Sequence, residues 1–164
     1  MSLKNKNYLI IRQAFATELM DFCNVAFKIK RNAMHVLKTR NNFFGPLAKD
    51  IENWFGCWND PQAPGHFSAY GDNVMESLLL MAHPLMEERT KMKLHPCYAY
   101  ARIYEKGAEL KKHTDRASCE ISCTVNMGGD MWPIYLKDKK KKIKVELKCG
   151  DMLIYKGTKL QHWR

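Results

Sequence analysis

After Lys93 the sequence changes from helical to extended texture, and that change limits the folds open to it. In CYAYARIY, residues 97–104, Tyr98, Tyr100 and Tyr104 alternate with Cys97, Ala99, Ala101 and Ile103, which gives one aromatic face and one small or aliphatic face. Gly107, Gly128-Gly129 and Gly150 then punctuate the short apolar runs CEISCTVN, MWPIYL, KVELKC and MLIY. Short strands joined by tight turns, with helices before them, predict an α+β fold: a small barrel or two-sheet jelly roll braced by helices.

The N-terminal half supplies those helices. NYLIIRQ has the short apolar character of a strand, and residues 14–37 place Leu19, Phe22, Ala26 and Ile29 at three- and four-residue spacings, with Thr17 as an N-cap. Residues 41–71 are rich in Asn, Pro, Gly and aromatics and predict an irregular region. It would hold a short helix near Leu47 to Phe55, with Trp54, Phe55 and Trp58 pinned to the core. A second helix is expected from Asp72 as N-cap, bent or ended by His83-Pro84. The expected organisation is a single domain over 1–164, with residues 1–92 as a mainly helical support and 93–164 as the jelly-roll core.

No run of about 18 apolar residues occurs, and the N-terminus lacks a secretory signal, so a soluble, cytoplasmic protein without a membrane association is expected. Six cysteines without a CxxC pair predict reduced thiols, not a disulfide scaffold. Lysine and arginine outnumber aspartate and glutamate 27 to 17, for a net charge of +10, and six lysines lie in KDKKKKIK, residues 137–144. That run suits either a solvated hairpin tip or a nucleic-acid contact, and it contains no interleaved aromatics for base stacking.

In a strand, residues i and i+2 project to one face, so His113 and Asp115 can meet one metal ion. His162, after MLIY and the Gly157 turn, is the third candidate. Two histidines and one carboxylate bind one face of an octahedral Fe(II) and leave three positions open, enough for a bidentate cosubstrate and dioxygen.

The order YARIYEKGAELKKHTDR, CEISCTVN, WPIYL and LKCGDMLIYKGTKLQHW resembles the 2-oxoglutarate- and Fe(II)-dependent dioxygenases, and within them the prolyl 4-hydroxylase-like group. The resemblance covers residues 94–164 and implies a double-stranded β-helix core. It implies His113, Asp115 and His162 as iron ligands, Tyr104 facing 2-oxoglutarate, and Thr124 as a second cosubstrate-facing side chain. Gly150-Asp151 resembles the family turn that aims the last metal-bearing strand. The implied reaction decarboxylates 2-oxoglutarate with O2 and hydroxylates an unactivated C–H bond, with ascorbate as an optional reductant. The substrate would be a prolyl residue in a peptide or protein, or a small molecule.

One departure from the family pattern concerns the cation that holds the distal carboxylate of 2-oxoglutarate, which the family carries about ten residues past the second histidine. Here the candidates are Arg102 and Arg164, against which stand an ion pair of Arg102 with Glu120 and a frayed position for Arg164. A longer chain with a further strand is the expected explanation, because without it a barrel edge would be open. Arg116 and Glu120 either contact substrate or pair with each other, and Tyr98 and Tyr100 either line the pocket or fill the barrel. A catalytically inactive jelly-roll binding module and a nucleic-acid-directed oxygenase or basic binding protein are the competing functions. Oligomeric state is not legible.

Overall fold

The computed structural model describes Leu3 and residues 6–39 and 55–164. Its elements run β1 (Tyr8–Ile11), α1 (Thr17–Thr39), β2 (Ser68–Tyr70), α2 (Asn73–Thr90), β3 (Tyr100–Arg102), β4 (Ile121–Val125), β5 (Ile134–Asp138), β6 (Lys141–Val145), β7 (Met152–Lys156) and β8 (Gln161–Trp163). The strands form three antiparallel sheets, ordered β1-β7-β4, β2-β3 and β6-β5-β8, so the fold is α+β.

The fold is organised around β7, whose first four residues are all buried. MLIY is apolar on both strand faces and therefore has to be covered on both. Leu153 and Tyr155 pack with Ile134, Leu136, Val145 and Leu160, which belong to or adjoin the β6-β5-β8 sheet. Met152 and Ile154 pack with Leu9 and Ile11 of β1 and with Ala82 and Met86 of α2. Each fully buried aliphatic side chain contributes about 1.5–3 kcal/mol. The β1 and β2 strands come from the helical half of the sequence yet pair with β7 and β3, so the two halves interleave.

The helices correct the sequence expectations in three places. Thr17 is the first residue of α1 and not its cap, since the Ala16 carbonyl accepts the first helical bond, from Met20 N–H, at 3.2 Å. The core face of α1 is Met20, Cys23, Phe27 and Met34, while Phe22 and Ile29 are 62% and 64% exposed. Both stripes have helical spacing, and the expected one, through Leu19, Phe22 and Ala26, is displaced one position, about 100° around the axis, from the buried one. Lastly, α2 runs through Pro84 to Thr90. The carbonyl that Pro84 leaves without a partner is that of Leu80, an exposed residue, and the buried Ala82, Met86 and Thr90 hold the helix on its core either side of the proline.

Asp72 caps α2 as expected, accepting from Val74 and Met75 N–H at 3.0 and 3.2 Å, and its second oxygen accepts from Lys30 of α1 at 2.8 Å. Trp58 packs on Phe67 with ring centroids 4.9 Å apart, whereas Phe55 is 52% exposed and does not pin the region. Trp54 and the expected helix near 47–55, Phe55 apart, lie outside the described residues. The strand β2 arises where only irregular chain was expected, because its partner β3 lies far along the chain, in the Ser68↔Arg102 to Tyr70↔Tyr100 register, and leaves no local signal. All six cysteines are free thiols, and no described helix is long and apolar enough to cross a membrane.

The Gly150-Asp151 turn ties the layers together. Gly150 has φ +82°, and a Cβ there would collide with the Phe15 carbonyl oxygen. The Asp151 carboxylate, nearly fully buried, accepts from Gln13 N–H at 3.0 Å, Lys148 N–H at 2.9 Å and the Arg12 guanidinium at 2.6 Å. Burial pushes this carboxyl up, but the Gln13 and Lys148 amides and Arg12 outweigh it and hold it below the usual carboxylate range. The unfolded chain therefore takes up this proton first as pH falls. The contribution is complete above the unfolded value of about 4 and is lost as pH drops through the lower folded value. Asp151→Asn is expected to cost about 1–3 kcal/mol at pH 7 and to flatten the loss of stability in the acid range, as read by denaturant melts across pH.

Candidate metal centre

Segment 110–113 runs antiparallel to β8 and pairs with it. Leu110 and Arg164 exchange both backbone hydrogen bonds at 3.1 Å, and His113 and His162 exchange theirs at 3.1 and 2.8 Å. The edge of β8 that faces away from β5 is thus occupied, whereas β4 pairs only with β7 among the described strands. Directly opposed residues of this kind place their side chains on the same face. The two imidazoles accordingly lie 4.2 Å apart between ring centroids.

Asp115 reaches the same point. Its N–H donates to Gly157 O at 2.9 Å, and its Oδ1 lies 3.4 Å from His162 Nε2 and 3.8 Å from His113 Nε2. One donor atom from each of the three residues lies within 4.8 Å of the others. The remaining atoms of the cluster are committed elsewhere. His113 Nδ1 bonds the Lys111 carbonyl at 2.7 Å, His162 Nδ1 bonds the Leu160 carbonyl at 3.0 Å, and Asp115 Oδ2 accepts from Ser122 Oγ at 2.6 Å. Both Nδ1 atoms must carry the proton, because a carbonyl only accepts. In the neutral ring this is the tautomer that leaves Nε2 a lone pair toward the carboxylate, so that three acceptors face one another, the arrangement that a divalent cation resolves.

The electrostatics agree with this donor set. Burial lowers the His113 imidazole below its ordinary range, so it is neutral at pH 7 with its lone pair free. For Asp115, burial raises the carboxyl, but it is outweighed by His162 and His113, which act whenever those rings carry a proton, and by the hydrogen bond from the Ser122 hydroxyl, so the group is held below the usual carboxylate range.

A cleft of about 1840 Å³ opens onto the cluster, and Tyr104, Thr124, Arg102 and Arg164 are among the residues that line it. The two arginines differ. Arg102 is paired with the Asp60 carboxylate and donates to Tyr104 Oη at 2.8 Å, so its charge is met, by Asp60 and not by Glu120. Arg164 is held in place, not frayed. One guanidinium nitrogen donates to Trp132 O at 3.1 Å, and the group lies 5.4 Å from the Trp132 ring and 5.9 Å from the Tyr104 ring. It has no carboxylate partner among the described residues, and burial lowers its pKa from the ordinary arginine value.

Tyr98 and Tyr100 line the cleft too, with Tyr100 Oη donating to Asp60 and Tyr98 Oη 3.1 Å from Cys119 Sγ. Arg116 donates to Tyr70 Oη at 2.8 Å, which replaces its expected pairing with Glu120.

Three contributors escaped sequence reasoning. Ser122 fixes Asp115, and it shares a face of β4 with the predicted Thr124, a signal that strand alternation carried. The buried Tyr155 hydroxyl, 3.4 Å from His162 Nε2 and beside Thr124, is pushed well above its ordinary pKa by burial and by the Asp115 charge, so it stays protonated. Its signal was a lone hydroxyl in an apolar strand. Gly157 has an ordinary φ, yet a Cβ there would strike Asp115 Oδ2, Ser122 Oγ and the Cys119 carbonyl, so the glycine is required by close approach.

The architecture that carries this cluster is shared with a solved enzyme. A Pseudomonas putida prolyl-4-hydroxylase superposes with a TM-score of 0.68 at 11% sequence identity, covering 98% of this chain and 85% of that one. The chain has a prolyl 4-hydroxylase-like fold, which supports the sequence resemblance at the level of architecture. No family model matches the sequence, and no curated protein matches it either.

Ser122→Ala and Gly157→Ala each disturb Asp115 from outside the ligand set. Both are expected to weaken binding of Fe(II), or of Co(II) as a spectroscopic substitute, by roughly 10- to 100-fold in a direct titration. Unchanged affinity in both would separate Asp115 from the metal.

Proposed function

We propose that the chain is a 2-oxoglutarate- and Fe(II)-dependent dioxygenase, prolyl 4-hydroxylase-like, that hydroxylates an unactivated C–H bond. The observation that carries the reading is the convergence of His113 Nε2, His162 Nε2 and Asp115 Oδ1 in a cleft, with every other polar atom of the three side chains already bonded. The fold is read as a double-stranded β-helix, a reading supported by the packing of the β1-β7-β4 and β6-β5-β8 sheets through Leu153, Leu136 and Ile134 and by the likeness to the Pseudomonas enzyme.

Ferrous iron held by His113, Asp115 and His162 supplies, with 2-oxoglutarate and O2, the oxidising chemistry, and ascorbate serves at most to keep the metal reduced. The protein's own work is orientation. Arg164 is the anchor for the distal carboxylate of 2-oxoglutarate, because a half-buried guanidinium without an acidic partner gains most from a charge-assisted contact. Arg102 positions the Tyr104 hydroxyl at the cosubstrate pocket, and Thr124 and Tyr155 supply neutral hydroxyls on its wall. Trp132 packs edge-on to Tyr104, with ring centroids 4.9 Å apart, and keeps water from that side. No side-chain acid or base is needed. The substrate is a prolyl residue in a polypeptide or a small molecule that the open cleft admits.

Purified protein is expected to convert 2-oxoglutarate to succinate in an Fe(II)-dependent manner, and His113→Ala to abolish this. Arg164→Ala is expected to raise the KM for 2-oxoglutarate by roughly 10- to 100-fold while leaving metal affinity intact. Absence of both turnover and anaerobic 2-oxoglutarate binding in the iron-loaded protein would refute the oxygenase and leave a binding fold.

A further inference from the structure

The β6-β5-β8 sheet has two faces of opposite chemistry. Ile134, Leu136, Val145 and the His162 imidazole point inward and are buried. Strand alternation sends Tyr135, Lys137, Lys142, Lys144 and Trp163 to the other side. The register sets Lys144, Tyr135 and Trp163 in one row across the three strands, with Lys142 and Lys137 in the next.

The two rings on this face are stacked, with centroids 5.7 Å apart and planes 19° from parallel. Ammonium groups cover them. Lys142 Nζ stands 4.2 Å from the Tyr135 ring and 5.6 Å from Trp163, and Lys112 Nζ stands 4.7 Å from Trp163. All four lysines are exposed, and Lys144 pairs with Glu146 at 2.6 Å. The lysine run of residues 137–144 lacks aromatics in sequence, but pairing with β8 and folding back onto β5 supply them in space.

We propose that this face is a docking site for single-stranded nucleic acid, with Tyr135 and Trp163 stacking on unpaired bases and the lysines meeting the phosphates. A mobile ammonium over a ring leaves without breaking a covalent or buried contact, and once displaced by a base it is within reach of the adjoining phosphate. Near-parallel rings interleaved with cations on an open sheet are the chemistry of sequence-tolerant single-strand binding, since every base offers a π-face. A paired base in a duplex hides that face. The net charge of +10 adds long-range attraction to a polyanion. The site is separate from the metal centre, because Trp163 and His162 point to opposite sides of β8.

The test is fluorescence anisotropy with a labelled oligothymidylate of about a dozen nucleotides. Binding is expected with a log K against log salt slope of about −2 to −3, because each neutralised phosphate on a single strand contributes about 0.7. Trp163→Ala and Tyr135→Ala each weaken it at least tenfold, and a duplex of equal length binds at least tenfold more weakly. As Trp163 adjoins a strand of the metal centre, the exposed pair Lys137→Ala/Lys142→Ala is an independent variant that flattens the slope by about 1 or more. A chelator leaves binding unchanged. The proposal is overturned by no binding at about 50 mM salt, by equal affinity for duplex, by aromatic variants that fold and bind like the parent, or by binding that a chelator abolishes. Intact oligonucleotide binding with no 2-oxoglutarate turnover would count against the oxygenase alone.

Discussion

The backbone pairing of segment 110–113 with β8 is the interaction on which the rest of the site depends. Four reciprocal N–H···O=C bonds hold two pieces of chain that are far apart in sequence, and they set His113 directly opposite His162. The same ladder draws Arg164 beside Leu110, from where its guanidinium reaches the Trp132 carbonyl at the cleft. A slip of one residue would send His162 outward and Trp163 inward. Register here is therefore chemistry as well as structure.

That ladder is rigid because of what lies beneath it. Tyr155 of the doubly covered strand β7 meets the His162 ring edge-on at 4.8 Å, and the neighbouring strand β4 contributes Ser122 and Thr124. Polar atoms buried against such a core are costly unless bonded, and both histidines solve this in the same way, each with Nδ1 on the carbonyl two residues before it. The local backbone thus chooses the tautomer, and the tautomer leaves Nε2 for a ligand. Gly157 then lets the β7–β8 turn approach close enough for its carbonyl to hold Asp115.

Charge is sorted by the same sheets. Asp60 neutralises Arg102 within the cleft, Asp151 collects Arg12 and two amides at the turn between layers, and Asp72 joins α2 to Lys30 of α1. Arg164 is left in the cleft without an acid among the described residues, and the lysines stand on the outer face of the β6-β5-β8 sheet. The excess of positive charge is therefore not spread evenly. One part faces the cleft and another faces solvent beside stacked rings.

The sequence alone determined the features that depend on near neighbours. The i, i+2 spacing of His113 and Asp115, the Asp72 cap, the apolar run of β7 and the positive-φ glycine before Asp151 all act within a few residues, and each stands where it was expected. Ordered motifs were enough to bring His162 in beside His113 and Asp115. Only the tertiary structure decided between choices that are locally equivalent. Both stripes of α1 have helical spacing, and contact with Phe67 and Met75 selected Met20, Cys23, Phe27 and Met34 as the buried one. Pro84 would end an isolated helix, but burial of Met86 and Thr90 beyond it carried α2 on. The partner of Arg102 was Asp60, far back in the chain, and the edge of β8 was closed by residues 110–113. Periodicity and spacing report what a segment can bury or bind, whereas the identity of the partner is a long-range property that exists only once the chain has folded.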